Sequence, residues 1–263
     1  MNKDINLRTA FNSEAELYHA IRPCYPQVLF DTLVKTTHLQ DKARLLEIGL
    51  GTGQATMPFA ERGYIITAIE LGLDLAGVAR DVLKKYKNVE IITGAFEDVE
   101  LPSESFDLIY AATAFHWIKP EVRFTKSHKL LKPIGHLAII HTNHVSDKAG
   151  DRFFNASQPI YDKYTPKNKD DEKFRLPHTA DLKPSEVDEN FFEPLFFKAF
   201  PMVIRYTADE YVKLLSTYSP TISMAPEMRI KFLQGISDLI NQQFGGSIMK
   251  HYSMTLSIAK KKS

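Results

Sequence analysis

Apolar and polar residues alternate along the chain in segments whose lengths predict an α/β fold. Short apolar runs that end in polar or glycine-rich turns predict buried strands, and longer stretches with apolar residues three and four positions apart predict helices. The order strand, helix, strand, helix, strand, strand, helix, strand is typical of a doubly wound parallel sheet. The predicted strands are residues 45–48, 64–70, 89–93, 106–111 and 136–141. Helices are predicted over residues 54–62, after the second strand up to about residue 87, and over residues 120–131.

The carboxyl-terminal part predicts elements that would complete such a sheet. Thr207 and Glu210 have the spacing of a capping box, which marks the start of a helix. Period-two alternation near the end of the chain predicts a last strand. The predictions for this part are a turn over residues 132–135, strands over residues 191–206 and 250–259, and a helix over residues 226–244. The strand over residues 191–206 is expected to break near Pro201.

Residues 145–187 depart from the alternation within a chain that we expect to form a single domain over residues 1–263. A helix is predicted over residues 151–164, followed by a polar loop over residues 165–173. We interpret the whole segment as an insertion over the mouth of a cleft, where loops commonly decide which substrate binds. A solvated connection is the alternative.

Residues 1–40 are expected to form a helical lid that covers part of such a cleft. Tyr18, Arg22 and Tyr25 lie there on a segment stiffened by prolines. Two phenol rings and a guanidinium can close over a ligand and bind an acidic group, which makes these residues candidates for substrate binding. The alternative is that the rings pack on the edge of the domain and that Arg22 is solvated.

The most informative stretch of the chain is the one in which the first predicted strand passes into a glycine turn. Glu47 lies near the end of this strand, and Gly49, Gly51 and Gly53 follow at alternate positions. Glycines allow a sharp turn and let a ligand approach the backbone without meeting a Cβ atom. A turn of this kind at the carboxyl end of a strand predicts a nucleotide-like ligand.

The glycine spacing distinguishes between classes of nucleotide site. A dinucleotide fingerprint needs G-x-G-x-x-G, but the third glycine comes one residue early and Gln54 follows it; a P-loop needs a lysine that this turn lacks. The spacing E-x-G-x-G-x-G instead resembles motif I of the class I S-adenosylmethionine (AdoMet) methyltransferases. An acid at the strand end suits a ligand that carries an ammonium and a sulfonium. Another nucleotide-binding fold and a turn without a ligand stay open as alternatives.

A second acid, Glu70, ends the second predicted strand. The carboxyl ends of adjacent parallel strands meet at one edge of a sheet, where a carboxylate can accept both hydroxyl groups of a ribose. A helix-capping or solvated glutamate is the alternative. Leu71, directly after this acid, and Ala112, at the end of the fourth strand, complete the candidate cofactor contacts at this edge.

Phe96 and Glu97 lie in the turn after the third predicted strand. The resemblance to the AdoMet methyltransferases implies that this turn borders the adenine. Phe96 would then stack on the ring or contact its edge, and a carboxylate such as Glu97 would bind the exocyclic amine. The alternative for Glu97 is an exposed loop acid.

His116 and Trp117 leave the fourth strand at its carboxyl end, where the ligands of open α/β sheets bind. A histidine there can act as a base or as a hydrogen-bond donor, so His116 is the candidate catalytic residue. Trp117 is a candidate substrate contact. A histidine and a tryptophan packed together in the core are the alternative.

Composition limits the classes of partner. Lys and Arg number 33 and Asp and Glu 32, so the net charge of +1 provides no basic footprint for nucleic acid or an anionic membrane. No stretch approaches the apolar length of a membrane span, and no signal-peptide core is evident, so a cytoplasmic location is expected. The single cysteine, Cys24, excludes an intramolecular disulfide and a cysteine zinc cluster, and no metal is expected.

Several segments together resemble the type 11 group of class I methyltransferases, which includes trans-aconitate-methyltransferase-like proteins. The resemblance implies a Rossmann-like, mostly parallel seven-stranded sheet of order 3-2-1-4-5-7-6, with strand seven antiparallel and helical caps. Motifs of the amino-directed DNA, cytosine-C5 and metal-dependent catechol-type enzymes are missing. The segments that carry the resemblance are residues 45–56, 68–75, 101–118 and 132–140, with residues 18–26, 206–219 and 244–246 resembling a narrower subset.

These observations predict an enzyme that transfers the methyl group of AdoMet to a carboxylate or hydroxyl oxygen of a small molecule. Because the sulfonium makes the methyl a ready electrophile, the protein mainly supplies alignment. A hydroxyl acceptor needs a base, for which His116 is the candidate. One alternative is a non-catalytic AdoMet-binding regulator or partner protein, and a second is a nicotinamide-dependent oxidoreductase. The oligomeric state is not predicted.

Overall fold

The computed structural model describes residues 15–164 and 175–263. Within these residues the strands are β1 Arg44–Ile48, β2 Ile65–Glu70, β3 Val89–Thr93, β4 Phe106–Ala112, β5 Leu131–His144, β6 Phe192–Thr207 and β7 Ser247–Lys261. They form one sheet in the order β3-β2-β1-β4-β5-β7-β6, mostly parallel with one antiparallel hairpin. The doubly wound, Rossmann-like fold and the strand order are therefore confirmed.

Strand β1 is central to the parallel part of the sheet. It pairs in parallel with β2 on one side and with β4 on the other, while β2 pairs with β3 and β4 with β5. Four of its five residues are buried, because strands and helices cover it on both sides. The carboxyl ends of β1, β2 and β4 consequently meet at one edge of the sheet, where the strands end at Ile48, Glu70 and Ala112.

Helices connect and flank these strands. Two short 3₁₀ helices, Phe115–Trp117 and Thr179–Asp181, are also present, and the capping box of Thr207 and Glu210 is formed as predicted. In the described residues the α-helices are α1 Ala15–Ile21, α2 Gln27–Thr37, α3 Met57–Ala60, α4 Leu73–Leu83, α5 Pro120–Leu130, α6 Arg152–Tyr164, α7 Ala208–Ser216, α8 Ser219–Ile222 and α9 Pro226–Gln243.

Helix α3 is shorter than the sequence pattern predicts. It begins at Met57, although the pattern predicted a helix from residue 54. Pro58 has no N–H group and fits only the first turn of a helix, so a helix that started three residues earlier would have this proline in its interior. The chain therefore leaves the glycine turn through further turns before the helix begins.

Two predictions about the later strands are wrong. Residues 132–135 form no turn but belong to β5, where Leu131 faces Phe106 and His136 faces Leu108, so that a register shift absorbs the extra residues. Strand β6 has no break at Pro201. It lies at the edge of the sheet, where a proline costs no ladder hydrogen bond.

The chain divides into two compact units. The glycine-loop unit comprises Cys24–Thr142, Lys183–Phe200 and Met254–Ser263. The tyrosine unit comprises the described residues within Met1–Pro23, Asn143–Leu182 and Pro201–Ser253. Each has its own hydrophobic core. The lid over residues 1–40 and the insertion over residues 145–187 stay predictions, as does the single domain. Residues 1–14 and the polar loop predicted at 165–173 lie outside the described residues.

No helix among residues 15–164 and 175–263 combines the length and the apolar character that a membrane-spanning helix needs.

Candidate active site

The glycine turn after β1 has a backbone that only glycine adopts freely. The φ angle is +71° at Gly49, +58° at Gly51 and +87° at Gly53. A Cβ atom on Gly49 would lie 2.5 Å from the Cβ atom of Ala114, in the segment that follows β4. The N–H groups of Gly49 and Gly53 donate to backbone carbonyls within the unit. These N–H groups are therefore already used within the protein. What the three glycines offer a ligand is close approach to the backbone, because they carry no Cβ atoms.

Glu70 joins the glycine turn to the turn after β2. Its Oε2 atom accepts from the Gly51 N–H group and its Oε1 atom from the Gly72 N–H group, both at 2.8 Å. Because Gly72 directly precedes α4, the second bond is a contact at the start of that helix, as the helix-capping alternative for Glu70 predicted. A carboxylate has about four acceptor positions, so two backbone bonds leave capacity for the hydroxyl groups of a ribose. The ribose-binding role of Glu70, with Leu71 beside it, stays a prediction.

Glu47 is fully buried in the same unit. Its Oε2 atom accepts from Thr56 Oγ1 at 2.6 Å and from Tyr110 Oη at 2.7 Å. Its Oε1 atom has no hydrogen-bond partner in the described part of the chain. Burial raises the pKa of Glu47 to about 7, against the lowering effect of the two hydroxyl groups, and the charge of Glu70 adds to the rise. The unpaired oxygen has the chemistry to meet a ligand ammonium, but Glu47 is 0% exposed, so a ligand reaches it only if the surrounding residues move.

His116 and Trp117 lie on the short 3₁₀ helix that follows β4. Phe115, at its start, is buried in the core, whereas His116 is exposed and Trp117 is half-buried. The two rings are 5.0 Å apart between centroids. The alternative of a histidine and a tryptophan packed together in the core is therefore wrong, and His116 remains the candidate catalytic residue.

A second histidine, His141, lies 5.9 Å from His116 between ring centroids. Partial burial lowers the pKa of His116, and the neighbouring His141 and Arg123 lower it further. Burial also lowers the pKa of His141. Both imidazoles are consequently neutral near pH 7 and able to accept a proton. The sequence analysis missed His141, although it ends the predicted fifth strand at the same edge of the sheet.

Tyr25 approaches the segment after β4 as well. Its hydroxyl group lies 3.3 Å from Thr113 Oγ1, which in turn lies 3.5 Å from Thr142 Oγ1. The ring packs edge-on against the buried Phe30 at 6.2 Å. The structure therefore brings Tyr25 together with the chain segment that carries Ala112 and His116, and its role toward a substrate stays a prediction.

Tyr18 and Arg22 belong to the tyrosine unit. The guanidinium of Arg22 lies 4.7 Å from the Tyr18 ring and 4.1 Å from the Tyr218 ring. Its Nε and Nη2 atoms donate to the side chain and the carbonyl of Thr217 at 2.9 and 2.6 Å. The alternative of a merely solvated Arg22 is therefore wrong, because the side chain is fixed in an aromatic setting.

Phe96 does not offer a face to a ligand. Its side chain is 2% exposed within the core of the glycine-loop unit. Lys126 Nζ lies 5.1 Å from the ring and donates to the carbonyls of Phe96 and Val99, both at 2.6 Å. The structure contradicts the predicted stacking of Phe96 on adenine, because core residues and this lysine already cover the ring. Glu97 accepts from the N–H group of Lys119, and its adenine role stays a prediction.

The comparisons with known proteins agree with this geometry. Residues 46–139 match the family model described as a methyltransferase domain. Over these residues the chain is similar to a methyltransferase domain. An uncharacterized methyltransferase-like protein from Schizosaccharomyces pombe is 31% identical over 141 residues, which are 53% of this chain and 54% of that protein. The match thus spans about half the length of the curated relatives.

Solved structures of methyltransferases share the fold of this chain. A proposed type II methyltransferase from Anaeromyxobacter dehalogenans has a TM-score of 0.59 at 19% identity, covering 91% of this chain and 96% of that chain. Phosphoethanolamine N-methyltransferase 2 from Haemonchus contortus, solved with S-adenosylhomocysteine, has a TM-score of 0.53 at 15% identity, covering 99% of this chain and 59% of that chain.

Proposed function

We propose that this protein transfers the methyl group of AdoMet to an oxygen atom of a small acceptor, either a carboxylate or a hydroxyl group. The observation that carries the proposal is one edge of the sheet in the glycine-loop unit. There the turn of Gly49–Gly53 follows β1. Of the two neutral histidines, His116 follows β4 and His141 lies in β5. This edge is where open parallel sheets bind their ligands.

The residues at this edge fit AdoMet in chemistry. The unpaired carboxylate oxygen of Glu47 would hold the ammonium, and Glu70 would hold the ribose hydroxyl groups. The turn of Gly49–Gly53 admits a ligand close to the backbone, with Ala112 at the neighbouring strand end. When bound, AdoMet supplies an electrophilic methyl group on its sulfonium.

The neutral histidines fit an oxygen acceptor. A carboxylate acceptor is already a nucleophile and needs only to be oriented. A hydroxyl acceptor must lose its proton, and an imidazole nitrogen of His116 or His141 can accept it, because the pKa of each ring is lowered. Trp117 and Tyr25, both half-buried, would help to exclude water from the acceptor.

The test of this function is a calorimetric titration of the full chain with AdoMet, with NAD as the control. We expect AdoMet to bind with a Kd on the order of micromolar and NAD to give no heat. A panel of small carboxylic acids and alcohols is then assayed for S-adenosylhomocysteine formation. Binding of NAD alone would favour the oxidoreductase, and AdoMet binding without turnover of any acceptor would favour the non-catalytic regulator.

The role of the histidines is tested with the double variant His116→Asn, His141→Asn. For a hydroxyl acceptor, loss of the base should lower kcat by about 100-fold or more. For a carboxylate acceptor, kcat should change little, because no proton is removed. An unchanged kcat on a hydroxyl acceptor would exclude both histidines as the base, and unaltered AdoMet binding in the variant serves as the control for folding.

A further inference from the structure

The tyrosine unit contains a group of phenols and cations that the site described above does not use. We call this group the tyrosine cluster. All of its members lie in one unit, and its core also contains helices α7 and α9. The members of the tyrosine cluster are Arg22, His144, Tyr206, Tyr218, Lys250 and Tyr252.

We propose that the tyrosine cluster binds the carboxylate group of a small carboxylic acid. The assignment of this acid as the methyl acceptor rests on the proposed function. Three features of the cluster support carboxylate binding: two buried hydroxyl groups, nearby positive charges, and a fixed guanidinium.

The hydroxyl groups of Tyr206 and Tyr252 are buried and have no hydrogen bond of good geometry among the described residues. Tyr206 is 3% and Tyr252 0% exposed. Burial raises the pKa of both hydroxyl groups, that of Tyr206 to about 12. Each phenol also acts on the pKa of the other, and Tyr218 raises both, so the three hydroxyl groups lie near one another. Burying a hydroxyl group without a hydrogen bond is unfavourable. Two such donors side by side are suited to a carboxylate, which accepts from several donors at once.

The electrostatic environment of the cluster is positive. Burial is the largest cause that lowers the pKa of His144, to about 4, and the charges of Lys250 and Arg22 lower it further. The charges of Lys250 and Arg22 therefore both act at the position of the His144 ring. Lys250 is 8% exposed, and burial lowers its pKa to about 8, although Asp151 and Asp147 oppose that change. Burial disfavours any charge in the cluster, whereas the charges of Lys250 and Arg22 favour an anion over a cation there.

The guanidinium of Arg22 is held in one orientation. The rings of Tyr18 and Tyr218 lie on it at 4.7 and 4.1 Å, and Thr217 accepts two of its hydrogen bonds. A planar guanidinium fixed in this way loses little entropy when it binds a carboxylate.

The cluster continues from the interior toward the surface. The ring of His144 packs on those of Tyr252 and Tyr218 at 4.9 and 6.1 Å. Arg22, His144 and Tyr218 are only half-buried, whereas Tyr206 and Tyr252 are buried. The half-buried residues thus connect the interior hydroxyl groups with solvent, and we expect them to admit the acid.

The experiment measures binding of small acids to the full chain by calorimetry in the absence of AdoMet. The probes are succinate and citrate, with succinamide as the uncharged analogue and inorganic phosphate as the second oxyanion. We expect a carboxylate to bind and succinamide not to bind. Phosphate binding in place of any carboxylate, or no binding by any probe, would overturn the proposal.

The variants Tyr206→Phe and Tyr252→Phe remove one hydroxyl group each and keep the ring. Loss of a hydrogen bond to a charged group should raise the Kd for the acid about tenfold or more. The free energy of unfolding should change little, because the removed hydroxyl group makes no hydrogen bond of good geometry in the described residues. The control is Tyr64→Phe, a buried tyrosine of the glycine-loop unit, which should bind the acid as the wild type does.

Equal acid affinity in wild type and both phenylalanine variants would overturn the assignment of the tyrosine cluster. AdoMet titration of the same samples separates this failure from a failure of the proposed function. AdoMet binding without acid binding would contradict only the cluster, whereas acid binding without AdoMet binding would contradict the methyl transfer and the role of the acid as acceptor.

Discussion

At the scale of single residues, the two acids beside the glycine turn differ in the partners that hold them. Glu47 accepts from side-chain hydroxyl groups in a fully buried place, and its pKa rises to about 7. Glu70 accepts from two backbone N–H groups, those of Gly51 and Gly72. Glu47 therefore keeps one oxygen without a hydrogen-bond partner in the described residues, while Glu70 joins the turns after β1 and β2.

The variant Glu70→Ala should affect both cofactor affinity and stability. It removes the acceptor of two backbone N–H groups and, in the proposed site, the charge-assisted bonds to the ribose. We expect AdoMet binding to weaken by about 1–3 kcal/mol in calorimetry, and the free energy of unfolding to fall by a similar amount. The control is Glu90→Ala, an exposed acid on the neighbouring β3. Unchanged AdoMet affinity would remove Glu70 from the cofactor site.

At the scale of elements, the turn between β1 and α3 is determined by the neighbouring strand end as well as by its own backbone. Gly49 has a positive φ and also lies directly against Ala114, after β4. Gly63, which follows α3, has a similar φ of +79°, but nothing lies within 4 Å of a Cβ atom built there. The two glycines share the backbone requirement and differ in crowding.

The matched variants Gly49→Ala and Gly63→Ala separate these two effects. Both force an L-residue into the left-handed region, at a cost of about 1–2 kcal/mol. Gly49→Ala must also displace Ala114, which adds about 1–3 kcal/mol. We expect chemical denaturation at one pH to show a clearly larger loss of free energy of unfolding for Gly49→Ala. Equal losses would mean that the segment after β4 yields to the added methyl group without cost.

At the scale of the whole molecule, the free energy of unfolding should depend on pH through two groups, Glu47 and His144, one in each unit. Their contributions change with pH in opposite directions. Burial raises the pKa of Glu47 from 4.5 to about 7, so the native state binds this proton more tightly than the unfolded chain between those values. The stabilisation is complete below pH 4.5 and is lost as the pH rises to about 7. Burial lowers the pKa of His144 from 6.5 to about 4, so its contribution is lost as the pH falls from 6.5 to 4.

The variants Glu47→Gln and His144→Gln should therefore change the pH profile of stability in opposite directions. Between pH 4.5 and 6.5, Glu47→Gln should make the free energy of unfolding rise more steeply with pH than in the wild type, and His144→Gln less steeply. Denaturant unfolding in steps of pH measures both slopes. The Glu47 effect is on the order of 3 kcal/mol at most. Parallel profiles for wild type and a variant would show that the group titrates alike in both states.

The sequence by itself determined the features that depend on neighbouring residues. The order of strands and helices follows from local hydrophobic periodicity, and the capping box of Thr207 and Glu210 from residues three positions apart. The glycine turn is recognisable because Gly49, Gly51 and Gly53 meet a local backbone requirement. The start of α3 was also open to prediction, since Pro58 limits it, although the sequence analysis did not use that signal.

Only the tertiary structure decided the features that depend on residues far apart in the chain. Phe96 lies in the core beneath Lys126, and Arg22 lies between Tyr18 and Tyr218 beside Thr217, contacts that no local pattern encodes. The hydroxyl groups of Tyr206 and Tyr252 are likewise buried by packing between distant segments. Local periodicity shows which face of an element is buried, but the partner of each side chain follows from long-range packing of elements against one another.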